Sequence, residues 1–210
     1  HFRLLNFGLL AMEKEEYLLM YKTEESHWWF KGKRKIIFSQ LEDFLHGKKI
    51  ARILDIGCGT GIMMKTFKSY GAVYGVDIER TALNFCLKRG LGNIAQSNAT
   101  SLPFKSNSFD IVGVFDVLYH KGIKNDSGTL KEIFRILKPK GLLILTDSAD
   151  MKLWSRHDIA AHARERYTIP KLSLKLKSAG FKIKRLTYFN TLLYPLVFAA
   201  RKLDNLLSKN

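Results

Sequence analysis

The chain has 210 residues, 46% of them hydrophobic, which suits one globular domain with a substantial core and leaves no room for a second full domain. Lys and Arg number 35 against 19 Asp and Glu, a formal net charge of +16 that favours polyanions such as RNA or an acidic membrane surface, with plain solubility as the alternative. Two cysteines, Cys58 and Cys86, sit in no metal-type spacing and exclude a disulfide framework, pointing to a reducing, cytoplasmic compartment, and no run reaches a membrane-spanning length.

In chain order, residues 1–11 are too short and lack the cleavage site of a signal peptide, and with Met12 standing before a polar EKEE run they read as an upstream extension. Glu13 to His46 reads as a helix, its apolar Ile36, Ile37, Leu41, Phe44 and Leu45 at helical spacing, so that residues 1–50 form an N-terminal helical segment and a candidate lid. From residue 51 onward the pattern changes. ARILDI, AVYGVD, NIAQSN, FDIVGVF and GLLILT are five short β-branched runs, separated by helical segments at Ile62–Tyr70, Thr81–Arg89 and Thr129–Leu137. Such alternation predicts a single α/β domain over residues 51–210, with a doubly wound, mostly parallel sheet and right-handed crossovers.

Residues 148–170 follow the fifth strand and are polar, rich in His, Arg, Trp and Tyr; ligands of such folds bind at the carboxyl ends of the strands, which makes this the acceptor-side segment. Leu172–Ala179 then reads as a helix stopped by Gly180, Lys182–Phe189 alternates like a strand, and residues 191–210 read as a terminal amphipathic helix.

The strongest site is ILDIGCGTG, Ile53 to Gly61. A buried strand ends in Asp55, and Gly57, Gly59 and Gly61 let a ligand approach the backbone closely in the turn that opens a helix. A dinucleotide loop of G-x-G-x-x-G form would place its third glycine at position 62, where Ile62 stands, which weakens a nicotinamide reading. Asp77 closes the second strand at the distance along the chain where a carboxylate reaches ribose hydroxyls in these folds.

ILDIGCGTG, VYGVDIE, SLPFKSNSFDIV and LKPKGLLIL, in this order over roughly Ala51–Asp147, resemble the successive motifs of class I S-adenosylmethionine-dependent methyltransferases of the type 11 kind. The resemblance implies the Rossmann-like methyltransferase fold and S-adenosylmethionine as cofactor. It implies that Gly57, Cys58 and Gly59 flank the methionine part, Asp77 takes the ribose hydroxyls, Ile78 packs on the adenine, and Asn98 and Ala99 hold the adenine edge, with Asp55, Gly61 and Phe115 lining the same site. Many members carry Asp at position 98; Asn98 can accept through its carbonyl oxygen. HWWFKGKRKII, LWSRHD and HARERY look like a bacterial and archaeal subgroup that often accompanies glycosyltransferase-type functions. There the cluster His27, Trp28, Trp29 and Phe30 is either a pin holding the helix to the core or a cofactor lid, and Arg34 or Lys33 can meet the cofactor carboxylate. The family fold usually ends in an antiparallel strand; here it is either absent or formed by Leu192–Ala200, against which Pro195 argues.

Methyl transfer from a sulfonium is an in-line displacement that depends on alignment, with a base needed where the acceptor must lose a proton. His157 beside Asp158 is the first candidate, followed by His120, with Tyr167 and His162 also available; for each the plain alternative is a hydrogen bond that orders a loop. No metal-ligand set is convincing. Lys171–Asn210 holds nine Lys or Arg and one acidic residue, Asp204, beside apolar Leu192, Leu193, Leu196, Ala200, Leu203 and Leu207, so this helix either lies on an anionic membrane or docks on the sheet or on a second subunit of a homodimer. The expected activity is therefore methylation of a small-molecule or lipid- or sugar-linked acceptor, at oxygen or nitrogen, by a cytoplasmic or membrane-peripheral enzyme. An RNA methyltransferase and a non-catalytic cofactor-binding module are the alternatives.

Overall fold

The computed structural model describes residues 14–47 and 50–207; the extension expected over residues 1–11 lies outside them. Five strands, β1 (Arg52–Ile56), β2 (Ala72–Asp77), β3 (Ile94–Gln96), β4 (Phe109–Phe115) and β5 (Leu137–Thr146), pair in the order β3-β2-β1-β4-β5, every neighbour parallel. This is the doubly wound α/β sheet that the alternation predicts. The central strands lack a polar face because both of their faces are covered: Ile53, Leu54 and Ile56 of β1 and Ile111, Val112 and Val114 of β4 are all buried. The order reverses between β1 and β4, and in folds of this kind ligands bind outside the carboxyl ends of the strands at such a switch.

Glu13–His46, expected as one helix, is two: α1 (Lys14–Thr23) and α2 (Trp28–Leu45). The break is local chemistry. The Thr23 hydroxyl folds back to donate to the Leu19 carbonyl at 2.8 Å, while His27 takes an extended conformation and its Nδ1 accepts from the Trp29 N–H, capping the new helix. The residues that fix α2 to the core are Ile37, Phe38 and Leu41, which meet Met64 and Phe67 of α3 (Ile62–Phe67), Cys86 of α4 (Arg80–Lys88) and the strands. The HWWF cluster does not share in this: Trp28 is 67% and Trp29 37% exposed, and the rings pack on one another at the surface.

The chain forms two compact units, residues 14–115 with 135–146, which holds the sheet, and residues 116–134 with 147–207. α5 (Asp126–Ile136) spans the end of the second unit's first segment. The second unit also contains α6 (Arg156–Ala160), α7 (Ile169–Ser178) and α8 (Tyr194–Leu207), with short 3-10 turns at Met151–Leu153 and Thr191–Leu193. Its organising group is the buried Asp126 carboxylate, which accepts from the Tyr167 hydroxyl at 2.9 Å, Lys175 at 2.9 Å and Arg164 at 3.3 Å.

Lys182–Phe189 is not a strand. Its half-buried residues, Ile183 and Leu186, are three apart and so do not keep the period of two that a strand face needs, and no described residue pairs with it in a ladder. No antiparallel strand therefore closes the sheet among the described residues. No described helix is long and apolar enough to cross a membrane.

Candidate cofactor site and acceptor-side residues

The cofactor candidates all belong to the unit that holds the sheet. β1 ends in Ile56, and the loop after it runs through Gly57, Gly59 and Gly61, each at positive φ (67°, 54° and 87°), before α3 begins. Gly61 is also fixed by crowding, since a Cβ there would lie 2.6 Å from Leu91 Cδ1 and 2.9 Å from Cys86 Sγ. The loop is tied to β2: the N–H groups of Gly57 and Cys58 donate to the Val76 carbonyl at 2.8 and 3.0 Å, and the Gly59 N–H donates to Asp77 Oδ2 at 2.9 Å. The Cys58 side chain turns inward, its Sγ 3.8 Å from that of Cys86, so only its backbone borders the loop.

Asp77 also accepts from the Glu79 N–H at 2.9 Å. Burial raises its pKa, opposed by the N–H groups of Glu79, Gly59 and Ile78. Asp55, one strand away, is fully buried, and neither of its oxygens has a hydrogen-bond partner among the described residues. Burial, and then the charge of Asp77, pushes its carboxyl well above the usual carboxylate range. Ile78, directly after Asp77, is 52% exposed for a large apolar side chain at a strand end. These features fit a ligand with hydroxyls, an apolar ring and a cationic group: two carboxylates with acceptor capacity in hand, bare backbone, and an uncovered apolar surface.

Four expected site residues have other partners. Asn98 Oδ1 accepts from both the N–H and the hydroxyl of Thr100 at 2.9 Å, so the oxygen expected to receive an adenine amine already closes an Asx turn, leaving its amide N–H group at this edge, beside buried Ala99. Phe115 packs against Phe67, ring centroids 6.0 Å apart, among core residues. Arg34 donates to the Glu24 carbonyl and closes the α1–α2 turn. Trp29 lies at the first turn of α2 against Trp28.

Sequence reasoning offered residues 1–50 as a candidate lid but missed the residues that fasten α1 to the loop. Glu24, at the end of α1, accepts from the Thr60 hydroxyl inside the glycine loop and pairs with Arg89 at the end of α4, both side chains being almost fully buried. Arg89 Nε donates in turn to the Thr60 carbonyl at 2.8 Å, and its guanidinium lies 4.3 Å above the Tyr21 ring. Tyr17 is buried, its hydroxyl pKa raised by burial and next by Asp77, and the Met20 methyl would lie 3.4 Å from a Cβ on Gly59. α1 thus forms a roof on the glycine loop.

In the second unit Asp158 is not free to act as a base. It is 2% exposed, accepts from the Ser155 N–H at 2.9 Å in a capping box, and pairs with Arg166 at 2.7 Å and Arg201 at 2.9 Å; its lone pairs hold α6 and α8 in place. His157 beside it is exposed, with its imidazole pKa lowered by desolvation first and Arg201 second. His120 Nδ1 accepts from the Gly122 N–H at 3.0 Å, which puts the ring proton of the neutral form on Nε2 and makes His120 a hydrogen-bond donor. Its ring lies 5.9 Å from that of buried His162. Tyr167 is committed to Asp126. A group overlooked in the sequence is Asp147, directly after β5. Burial, and next the charge of Asp116, pushes it up to about 8 against the backbone N–H groups of Ser148, Tyr119 and Leu118. Its only sequence signal is its place at the carboxyl end of a strand.

Residues 54–145 match the family described as a methyltransferase domain. An uncharacterized protein of Methanocaldococcus jannaschii is 37% identical over 53% of this chain and 48% of its own length, and a fatty-acid O-methyltransferase of Mycolicibacterium smegmatis 31% identical over 64% and 48%. The chain thus spans about half the length, or less, of the curated relatives it matches. Among solved structures, a phosphoethanolamine N-methyltransferase of Haemonchus contortus in complex with S-adenosyl-L-methionine superposes with a TM-score of 0.65, at 24% identity, over 80% of this chain and 41% of that one, and shares the fold. Residues 54–145 are thus similar to a methyltransferase domain, and the strand order is that of the fold shared with that solved structure.

Proposed function

We propose that this chain transfers the methyl group of S-adenosylmethionine to a small-molecule or lipid- or sugar-linked acceptor, at oxygen or nitrogen. The observation that carries the reading is the pair Asp55 and Asp77 beside the glycine loop, two buried carboxylates with no cation of the described residues on them. Asp77 would take the ribose hydroxyls and Ile78 the adenine face. The backbone of Gly57–Gly59 would flank the methionine part, with Asp55 supplying a carboxyl toward its ammonium. When bound, this donor supplies a methyl group on a sulfonium sulfur, which an acceptor lone pair displaces in line as the C–S bond breaks to a thioether. The chain's own task is to align the two and exclude water.

Where the acceptor must lose a proton, Asp147, directly after β5 and with its carboxyl pushed up to about 8 by burial, is the first candidate base. His157 is the second candidate. The similarity to proteins named for fatty-acid and phosphoethanolamine methylation supports a small or lipid-type acceptor, and two free, buried thiols suit the cytoplasm. Residues 148–170 remain the proposed acceptor side.

Calorimetry tests the reading: S-adenosylmethionine or its demethylated product should bind, and bind more tightly than NAD. Equal or tighter binding of NAD overturns it. The net charge of +16 favours RNA as the second reading, in which affinity for RNA is high and falls steeply with salt as counterions are released; uniformly weak binding removes it.

A further inference from the structure

α8 is held to its own unit by the wrong face for an ordinary amphipathic helix. Its anchors are polar. Tyr194 Oη donates to Asp150 Oδ2 at 2.6 Å, Arg201 Nη1 to the Leu153 carbonyl at 2.7 Å and Asp158 Oδ2 at 2.9 Å, and Asn205 Nδ2 to the Trp154 carbonyl at 2.9 Å. Leu196 and Leu203 lie two residues away from these anchors, a rotation of about 200° on a helix, which places them on the opposite side. They are 70% and 60% exposed, and Leu192, in the 3-10 turn that leads into the helix, is 92% exposed. Ala199 and Ala200, between them, are exposed as well. A docked helix normally buries its leucines and shows its arginine to water; here the arginine is inside and the leucines are outside.

We propose that this stripe seats the second unit on an anionic lipid surface. Charge selects the occupant. Around the stripe in sequence, Lys177, Lys182, Lys184 and Lys202 are exposed, and the one acidic residue of residues 171–207, Asp204, is half-buried. An apolar stripe in a cationic segment matches the interfacial binding mode, in which side chains such as leucine enter the acyl boundary while lysines meet anionic headgroups. A second copy would bring the same cations against themselves, on a chain whose total charge is already +16. The proposal is independent of methyl transfer, because it rests on α8 and its charge alone.

The test is co-flotation of the full chain with vesicles of phosphatidylcholine, alone or mixed with phosphatidylglycerol. The protein should float with the mixed vesicles, not with the neutral ones, and release as salt rises. The double substitution Leu196→Gln and Leu203→Gln, on exposed positions, should reduce partitioning about tenfold or more while thermal unfolding and S-adenosylmethionine affinity stay unchanged. Lys182→Glu with Lys184→Glu should weaken it as well. No binding to anionic vesicles, undiminished binding of the leucine variant, or a concentration-dependent dimer that the leucine substitutions abolish would each overturn the proposal, the last by assigning the stripe to a second copy.

Discussion

Two sets of buried carboxylates divide this molecule. In the sheet unit, Asp55 and Asp77 lie beside the glycine loop with no cation of the described residues on them, and burial raises the pKa of both. In the second unit, Asp158 is held by Arg166 and Arg201, and Asp126 by Lys175, Arg164 and Tyr167. The second set is saturated and serves architecture. The first retains capacity at a cost in stability, which is the mark of a group kept for a ligand. Spacing in the sequence does not tell the two sets apart, whereas the donors around each carboxylate do.

The largest expected effect is on the saturated side. Asp158→Ala leaves two arginines without their shared partner and should lower unfolding free energy by about 3–5 kcal/mol in urea titration; a loss well under about 1 kcal/mol would mean that the hub is a surface-type pair. Next, Asp77→Ala should weaken S-adenosylmethionine binding by about 1–3 kcal/mol in calorimetry with little change in unfolding. The reverse pattern would make Asp77 structural. Asp55→Asn sharpens the contrast further, since it should stabilise the fold by about 0.5–2 kcal/mol while reducing donor affinity. Destabilisation, read by thermal unfolding, would place Asp55 with the saturated set.

A further contrast lies in the shape of stability against pH, where the second unit holds one carboxyl of each kind. Burial alone would raise Asp126, but Lys175, Tyr167 and Arg164 hold it down at about 2, so its contribution is complete above the unfolded value of 3.8 and is lost as pH falls toward 2. Asp147 is raised from 3.8 to about 8, so the folded chain keeps a proton that the unfolded chain releases, and stability falls as pH rises between those values. Asp147→Asn should flatten the slope between pH 3.8 and about 8, and Asp126→Asn the one below 3.8, in unfolding series across pH. An unchanged slope in either variant would break that assignment.

The strands, the glycine loop and Asp77 were legible because each is written in contiguous residues: a β-branched run, three glycines, a carboxylate at a strand end. A lid was expected within residues 1–50, but its fastening was not legible, since Glu24 and Arg89 stand 65 residues apart and each alone reads as a solvated helix-end charge. The α1–α2 break was hidden because Glu24, Glu25 and Ser26 are tolerable in a helix, and only the cap of His27 stops it. Asp158 next to His157 looked like a base with its partner; Arg166 and Arg201, 8 and 43 residues onward, made it a hub instead. The apolar side of α8 was visible in the sequence, but not that its polar side would be the one docked.

The parallel sheet with β1 at its centre also constrains the ribosome's product. β1 needs β4 as well as β2 beside it, and β4 needs β5, which follows an excursion of the chain through residues 116–134. No local hairpin can form first. Each pairing closes a long crossover, so the emerging chain should expose its most apolar strands until residue 146 has left the exit tunnel, and folding should then be slow for a protein of this size. Holdase chaperones would find their target in that interval, at β1 and β4, rather than at the finished surface.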